Sequence, residues 1–207
     1  MATRSKSSKR WLREHFSDAA VRAAQQQGYR SRAVFKLREL DERYQLLTVG
    51  MRVLDLGAAP GGWSQYAVEK VLPGGLVVAS DILDFEPLAG VQCVRGDFTD
   101  AEVAEHIERL FAPQGADLVM SDMAPNMSGQ RAVDQPRAML LAELALATAE
   151  SLLRESGCFV CKLFQGEGSD AFIAQLRDKF SRVVVRKPGA SRPRSREVYA
   201  LAWNPKL

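Results

Sequence analysis

Metal ligation and disulfide formation have little to work with in this chain of 207 residues, which carries three cysteines and two histidines. Cys93, Cys158 and Cys161 make an odd count in apolar, strand-like surroundings, which points to a reducing compartment. Cys158 and Cys161 have C-x-x-C spacing, but residues three apart on a strand point to opposite faces. The pair therefore reads as buried small hydrophobes, and no metal site is expected. No apolar run approaches the ~18 residues of a membrane span. The start lacks the apolar segment of a signal peptide, so neither a membrane protein nor a secreted one is expected. Also missing are G-x-x-x-x-G-K-[ST], whose lysine cradles a triphosphate, and the G-x-G-x-x-G of dinucleotide binders.

What is present suits one globular domain over residues 1–207, because 46% hydrophobic content at this length supplies a sizeable core. The net charge of +3 is small but uneven, with basic residues concentrated at the two ends. Arg4, Lys6, Lys9, Arg10 and Arg13 stand among serines, and residues 1–10 read as a flexible basic arm suited to phosphates. Trp11-Leu12-Arg13-Glu14-His15-Phe16 reads as the start of ordered protein, which favours a cytoplasmic protein over an imported one. An acidic partner such as RNA is expected. Residues 11–47 read as an N-terminal helical segment and 48–207 as the core. Between Gly28 and Leu47, apolar residues recur at helical spacing among arginines and Lys36, so an amphipathic helix is expected there. Taken alone, Lys36 reads as a solvated lysine on that helix.

The core is organised around Val53 to Trp63, VLDLGAAPGGW. A short apolar run containing Asp55 reads as a buried parallel strand, followed by a small-residue turn and a helix from Ser64 to Lys70. Glycines at such a turn let backbone N–H groups approach a ligand, and the helix N-terminus behind them favours negative charge. A nucleotide-like cofactor is expected. Strands then alternate with helices, as in an α/β sheet: Leu76–Ser80 ending at Asp81, Val91–Arg95 ending at Gly96-Asp97, and Ala116–Ser121 ending at Asp122. Asp81 stands where an acid meets ribose hydroxyls in nucleotide-binding folds, and Asp97 where one could reach an adenine amino group or cap a helix.

A helix from Pro136 to Leu153 leads to the apolar strand Gly157–Phe164, which contains Lys162. An unpaired ammonium in a buried strand costs several kcal/mol, so Lys162 needs a reason. Open α/β sheets place their sites at the carboxyl edge of the strands, where Asp122 and Lys162 both fall. After a helix from Asp170 to Phe180, Arg182–Arg186 and Ser195–Trp203 read as the last two strands. An antiparallel return of the last strand brings Glu197 to the same edge.

Together these residues resemble the FtsJ/RrmJ-type ribosomal RNA large-subunit 2′-O-methyltransferases. The resemblance runs from about Trp11 onward and rests on Ser31–Leu37, Asp55–Trp63, Ser121–Asn126, Lys162–Gly166 and Ser195–Glu197. It implies a Rossmann-like AdoMet-dependent methyltransferase fold, with a mostly parallel seven-stranded sheet, an antiparallel last strand and helices on both faces. It places the family's Lys-Asp-Lys-Glu tetrad on Lys36, Asp122, Lys162 and Glu197, which overturns the solvated reading of Lys36. It further implies S-adenosyl-L-methionine as cofactor, in contact with Gly61, Trp63, Asp81 and Asp97 and lying beside Asp122. An alcohol is a poor nucleophile until its proton leaves. Lys162 would accept that proton if neutral, or stabilise the developing negative charge if protonated, and both readings stay open. Only RNA has a 2′-hydroxyl. Arg30, Arg32, Arg182, Arg186, Lys187, Arg192, Arg194 and Arg196 would form a phosphate track around the site. The resemblance implies action on the A-loop uridine of 23S rRNA in the large ribosomal subunit, and a monomer is expected. A tRNA or mRNA-cap ribose, or a non-catalytic role in ribosome assembly, is the alternative.

Overall fold

The alternation of apolar and amphipathic segments resolves into a single seven-stranded sheet in the computed structural model, which describes residues 19–206. The basic arm of residues 1–10 and the segment Trp11–Phe16 lie outside the described residues. Two helices come first, α1 (Ala19–Gln26) and α2 (Val34–Tyr44). Then follow β1 (Arg52–Leu56), α3 (Gly62–Val71), β2 (Leu76–Asp81), β3 (Val91–Arg95), α4 (Ala101–Phe111) and β4 (Ala116–Ser121). The chain ends with α5 (Arg131–Leu152), β5 (Leu153–Phe164), α6 (Ser169–Lys179), β6 (Phe180–Arg186) and β7 (Glu197–Pro205). Strand order is β3-β2-β1-β4-β5-β7-β6; β7 runs antiparallel to both its neighbours, and the remaining pairs are parallel.

Both faces of the sheet are covered, so the central strands are apolar at successive residues rather than alternate ones. Val53, Leu118, Val160 and Leu201 point to one face, where Val34, Leu37 and Leu40 of α2 and Tyr66 and Val71 of α3 meet them. Leu54, Val119, Cys161 and Ala202 point to the other, under Ile107 and Phe111 of α4, Ala145 and Leu146 of α5, and Leu176 of α6. Cys158 and Cys161 fall in these two opposite layers, as their spacing requires. Cys93 departs from expectation: β3 is an edge strand, and its thiol side is exposed.

Two helix boundaries also differ. The amphipathic helix is shorter than Gly28 to Leu47, since Gly28 takes a positive φ of 75° and Gln45 ends the helix in a left-handed conformation. Helix α5 begins at Arg131 rather than at Pro136. The Asp134 carboxylate accepts the Ser128 and Gly129 N–H groups at 2.8 and 3.0 Å, closing the preceding loop into the helix one turn early.

The order reverses between β1 and β4, and the crevice outside the carboxyl ends of strands at such a point is where open α/β sheets bind ligands.

Candidate active site

Strand register brings the charged residues together. Ser121 of β4 pairs with Cys161 of β5, so Asp122 and Lys162 follow side by side. Lys162 in turn pairs with Tyr199 of β7, and Phe164 with Glu197. Helix α2 lies across this edge and delivers Lys36 from above. The Lys162 Nζ is 3.1 Å from Asp122 Oδ1, Lys36 Nζ is 3.7 Å from the same oxygen, and Lys36 Nζ is 3.1 Å from Glu197 Oε1. Four residues from four parts of the chain thus form one continuous ion chain, with Lys36, Lys162 and Glu197 each only 9% exposed. Lys36 is no solvated lysine.

A fifth residue completes the chain, one the sequence reading did not single out. The Tyr199 hydroxyl accepts a hydrogen bond from Lys36 Nζ at 3.0 Å and donates one to Asp122 Oδ1. Burial, with Asp122 and Glu197 nearby, holds its pKa well above the ordinary tyrosine value, so it remains a donor. Burial would raise the Asp122 carboxyl, but Lys162, Lys36 and the hydrogen bonds from Tyr199 and Lys162 outweigh it, and the net shift is downward. Asp122 is therefore an anion at neutral pH. Lys162 also donates to the Asp122 carbonyl at 2.5 Å, so Asp122 engages two of the three donor positions of an ammonium.

The ion chain separates two cavities. One, of about 460 Å³, is lined by Gly57, Asp81, Leu83, Asp97, Asp122 and Met123 among others, across the carboxyl ends of β1 to β4. With strands about 4.8 Å apart, Asp97 beyond β3 and Asp122 beyond β4 are separated by roughly 14 Å. That is room for an extended cofactor bearing a base at one end and an amino acid at the other. The second cavity, of about 510 Å³, is lined by Arg32, Lys36, Arg192, Arg194 and Glu197. Asp122 faces the first cavity, and Lys36 and Glu197 face the second.

The glycine turn shapes the first cavity. Gly57 has φ +70°, and a Cβ there would lie 2.2 Å from Met123 Cγ, so only glycine fits between the turn and the loop after β4. The turn's own amides are already engaged: Gly57 and Ala58 N–H donate to the Ser80 carbonyl, and Ala59 N–H donates to Asp81 Oδ2 at 2.8 Å. The expectation that these amides face a ligand is corrected accordingly; they tie β1 to β2. Asp81 also accepts from Leu83 N–H, and Asp97 accepts from both the amide and the hydroxyl of Thr99, yet both acids still line the cavity. Gly61 and Trp63 sit behind the wall. Gly61 is left-handed at φ 102° beneath Arg30 and Leu88. Trp63 is buried, donates its indole N–H to the Ala33 carbonyl at 2.8 Å, and packs its ring 5.7 Å from that of Tyr199. It supports the start of α2, and through α2 the position of Lys36.

Asp55, within the strand before the turn, is 1% exposed and accepts a hydrogen bond from Ser64 Oγ at 2.6 Å. Burial pushes its carboxyl up to about 7; the Ser64 bonds oppose this, and the negative charges of Asp122 and Asp81 add to it. Among the described residues, no group of three or more His, Cys, Asp or Glu is placed to hold a metal ion, and no helix is long and apolar enough to cross a membrane.

Residues 29–204 match the FtsJ-like methyltransferase family. A protein of Chromohalobacter salexigens named ribosomal RNA large subunit methyltransferase E is 59% identical over 96% of this chain and 94% of its own length. A protein of the same name from Stenotrophomonas maltophilia is 57% identical over 97% and 96%. A solved structure from Plasmodium falciparum, described as a ribosomal RNA methyltransferase, superposes with a TM-score of 0.74 at 25% identity, covering 86% of this chain and 98% of that one. The sheet with its reversed last strand, the two cavities and the match over residues 29–204 lead to one conclusion: the chain belongs to the FtsJ-like methyltransferase family.

Proposed function

We propose that the protein is an AdoMet-dependent ribosomal RNA methyltransferase that modifies a ribose 2′-hydroxyl of the large ribosomal subunit, with the A-loop uridine of 23S rRNA as its target. The observation that carries this reading is the ion chain Lys162–Asp122–Lys36–Glu197 standing between a cavity edged by acids and one edged by arginines. The names of the relatives support rRNA, and the resemblance supports the uridine.

The acid-lined cavity fits the cofactor. Asp81 would take the ribose hydroxyls, Asp97 the adenine amino group, and Asp122 the far end beside the reacting centre. When bound, AdoMet supplies an electrophilic methyl group. The protein's own residues do the rest. Arg32, Arg192 and Arg194 would draw the RNA backbone into the second cavity, with Lys36 and Glu197 facing the incoming ribose. Lys162, fixed on two sides by Asp122, turns its remaining donor position to the 2′-oxygen. There it either accepts the hydroxyl proton or stabilises the charge that develops as the proton leaves. Tyr199 locks Asp122 and Lys36 into one geometry.

The test supplies methyl-labelled AdoMet with purified large subunits, free rRNA and tRNA. The expected result is label in subunit rRNA at one alkali-resistant ribose. Label confined to tRNA, or absent from all three while AdoMet binds, would overturn the assignment.

A further inference from the structure

Much of the basic track is engaged within the protein. Arg30 donates to the carbonyls of Pro60, Glu86 and Pro87, Arg196 to that of Gln165, Lys187 to those of Pro193 and Ser195, and Arg32 to that of Ala190. These residues hold loops around the site. Arg182 differs, and among the described residues Arg186 beside it donates only to the Val185 carbonyl next to it in sequence and to the Tyr44 hydroxyl. Both lie on edge strand β6, where Arg186 pairs with Tyr199 and Arg182 with Trp203. Residues directly opposite in an antiparallel pair point to the same face, so the two arginines share the face that carries Tyr199. Helix α6 packs on the other face with Val183 and Val185.

Aromatic rings orient these cations. The Arg182 guanidinium lies 4.6 Å from the Trp203 ring centroid, and Trp203 lies 5.6 Å from Tyr44. Arg43 stands 5.6 Å from the Tyr44 ring, and Arg186 donates to the Tyr44 hydroxyl. Arg38, Arg95 and Arg154 each face a carboxylate, but among the described residues Arg43, Arg182 and Arg186 have none within 4.0 Å. Arg43 and Arg182 are exposed and Arg186 half-buried. Arg43 and Arg182 stand exposed beside aromatic rings with no acid to neutralise them, while Arg186 spends donors on the Tyr44 hydroxyl and the Val185 carbonyl and adds its charge beneath them.

We infer that this seam, Arg43, Arg182 and Arg186 on the Tyr44–Trp203 pair, is a second docking surface for backbone phosphates of the RNA substrate. It rests on the proposed RNA reading and extends it. Trp203 is four residue steps along β7 from Tyr199, so the seam runs from Arg186, one strand across from Tyr199, to Arg182 about 13 Å further on, a distance an RNA strand covers in a few nucleotides. It continues outward from the arginine-lined cavity along the edge of the sheet, which favours one polyanion tracking both.

The test measures binding of the full-length protein to a fluorescently labelled RNA hairpin across a series of KCl concentrations, without AdoMet. Each phosphate contact contributes roughly 0.7 to 0.9 to the slope of log K against log salt. The variant R43Q/R182Q/R186Q is expected to lose about two to three from that slope and to bind about tenfold or more weakly at low salt, with AdoMet affinity retained. The corresponding lysine variant keeps the slope. Should the triple variant fail to fold, R43Q and R182Q singly are each expected to lower the slope by about one. An unchanged slope overturns the surface. So does a defect seen only with assembled subunits and not with free RNA, which would assign the seam to a ribosomal protein. A wild-type protein that methylates no RNA would defeat the proposed function itself, whereas an unchanged slope in variants of an active protein defeats only the seam.

Discussion

Tyr199 joins the two halves of the ion chain through one hydroxyl, which accepts a hydrogen bond from Lys36 and donates one to Asp122. Hydrogen bonds to charged groups contribute about 1.5–3 kcal/mol, so Tyr199→Phe is expected to slow methyl transfer about ten- to hundredfold. AdoMet affinity should hold, as titration calorimetry of the variant would show. Asp55 makes a different prediction. The folded protein holds its proton up to about pH 7, whereas the unfolded chain releases it near the ordinary carboxylate value of 3.8. The unfolded state therefore binds fewer protons between these values, and stability present below the lower one is lost as pH rises through the upper. Asp55→Asn removes this dependence. Its stability relative to wild type should climb by on the order of 2–3 kcal/mol between about pH 5 and about pH 8, measured by denaturant unfolding. Ionisable residues were legible where chemistry made them conspicuous: Lys162 in a buried strand and Asp122 at its neighbour's end invite an explanation. Tyr199 was not legible, because an aromatic residue in an apolar strand reads as core. Trp63 stood out in the glycine motif, but nothing in that motif shows its indole turned toward α2.

Helix α2 carries Lys36 and, about one turn further along the same side, holds the β6–β7 connection. The Glu39 carboxylate accepts the amides of Gly189 and Ala190 at 2.9 and 3.3 Å, fixing the loop that bears Arg192 and Arg194. Glu39→Ala should abolish the hydrogen-exchange protection of those two amides and raise the KM for RNA severalfold, with the KM for AdoMet unchanged. Retained protection would show that the loop is held by other contacts. The strands were readable to within a residue or two where a continuous apolar run leaves few alternatives, but β5 starts at Leu153 rather than Gly157, through the exposed Arg154, Glu155 and Ser156 that no apolar run marks. Helix ends were less so. Pro136 looks like a first helical residue, and only the Asp134 bonds to the preceding loop reveal the earlier start. No motif announces α4, whose fully buried side comes down to Ile107 and Phe111 among glutamates.

At the scale of the whole molecule, topology opens two cavities by different approaches. The ends of β1 to β4 frame the acid-lined cavity, while α2 and the loop before β7 frame the arginine-lined one. The ion chain on β4, β5, β7 and α2 is their common wall. The alternating pattern and the reversed last strand made this sheet edge legible. The cavities were not, because their walls come from the loops at 82–83, 123–126 and 192–195, whose paths depend on single contacts such as Met123 against Gly57. In the proposed reaction Lys162 acts at the acceptor oxygen and does not hold the cofactor. The measurement that tests it most directly is the single-turnover rate of methyl transfer to the large ribosomal subunit for wild type and Lys162→Ala, with AdoMet affinity determined for both. The prediction is a rate lower by about 10³-fold with AdoMet affinity unchanged. A variant that transfers within a few fold of the wild-type rate, or that loses activity only by losing AdoMet, would contradict it.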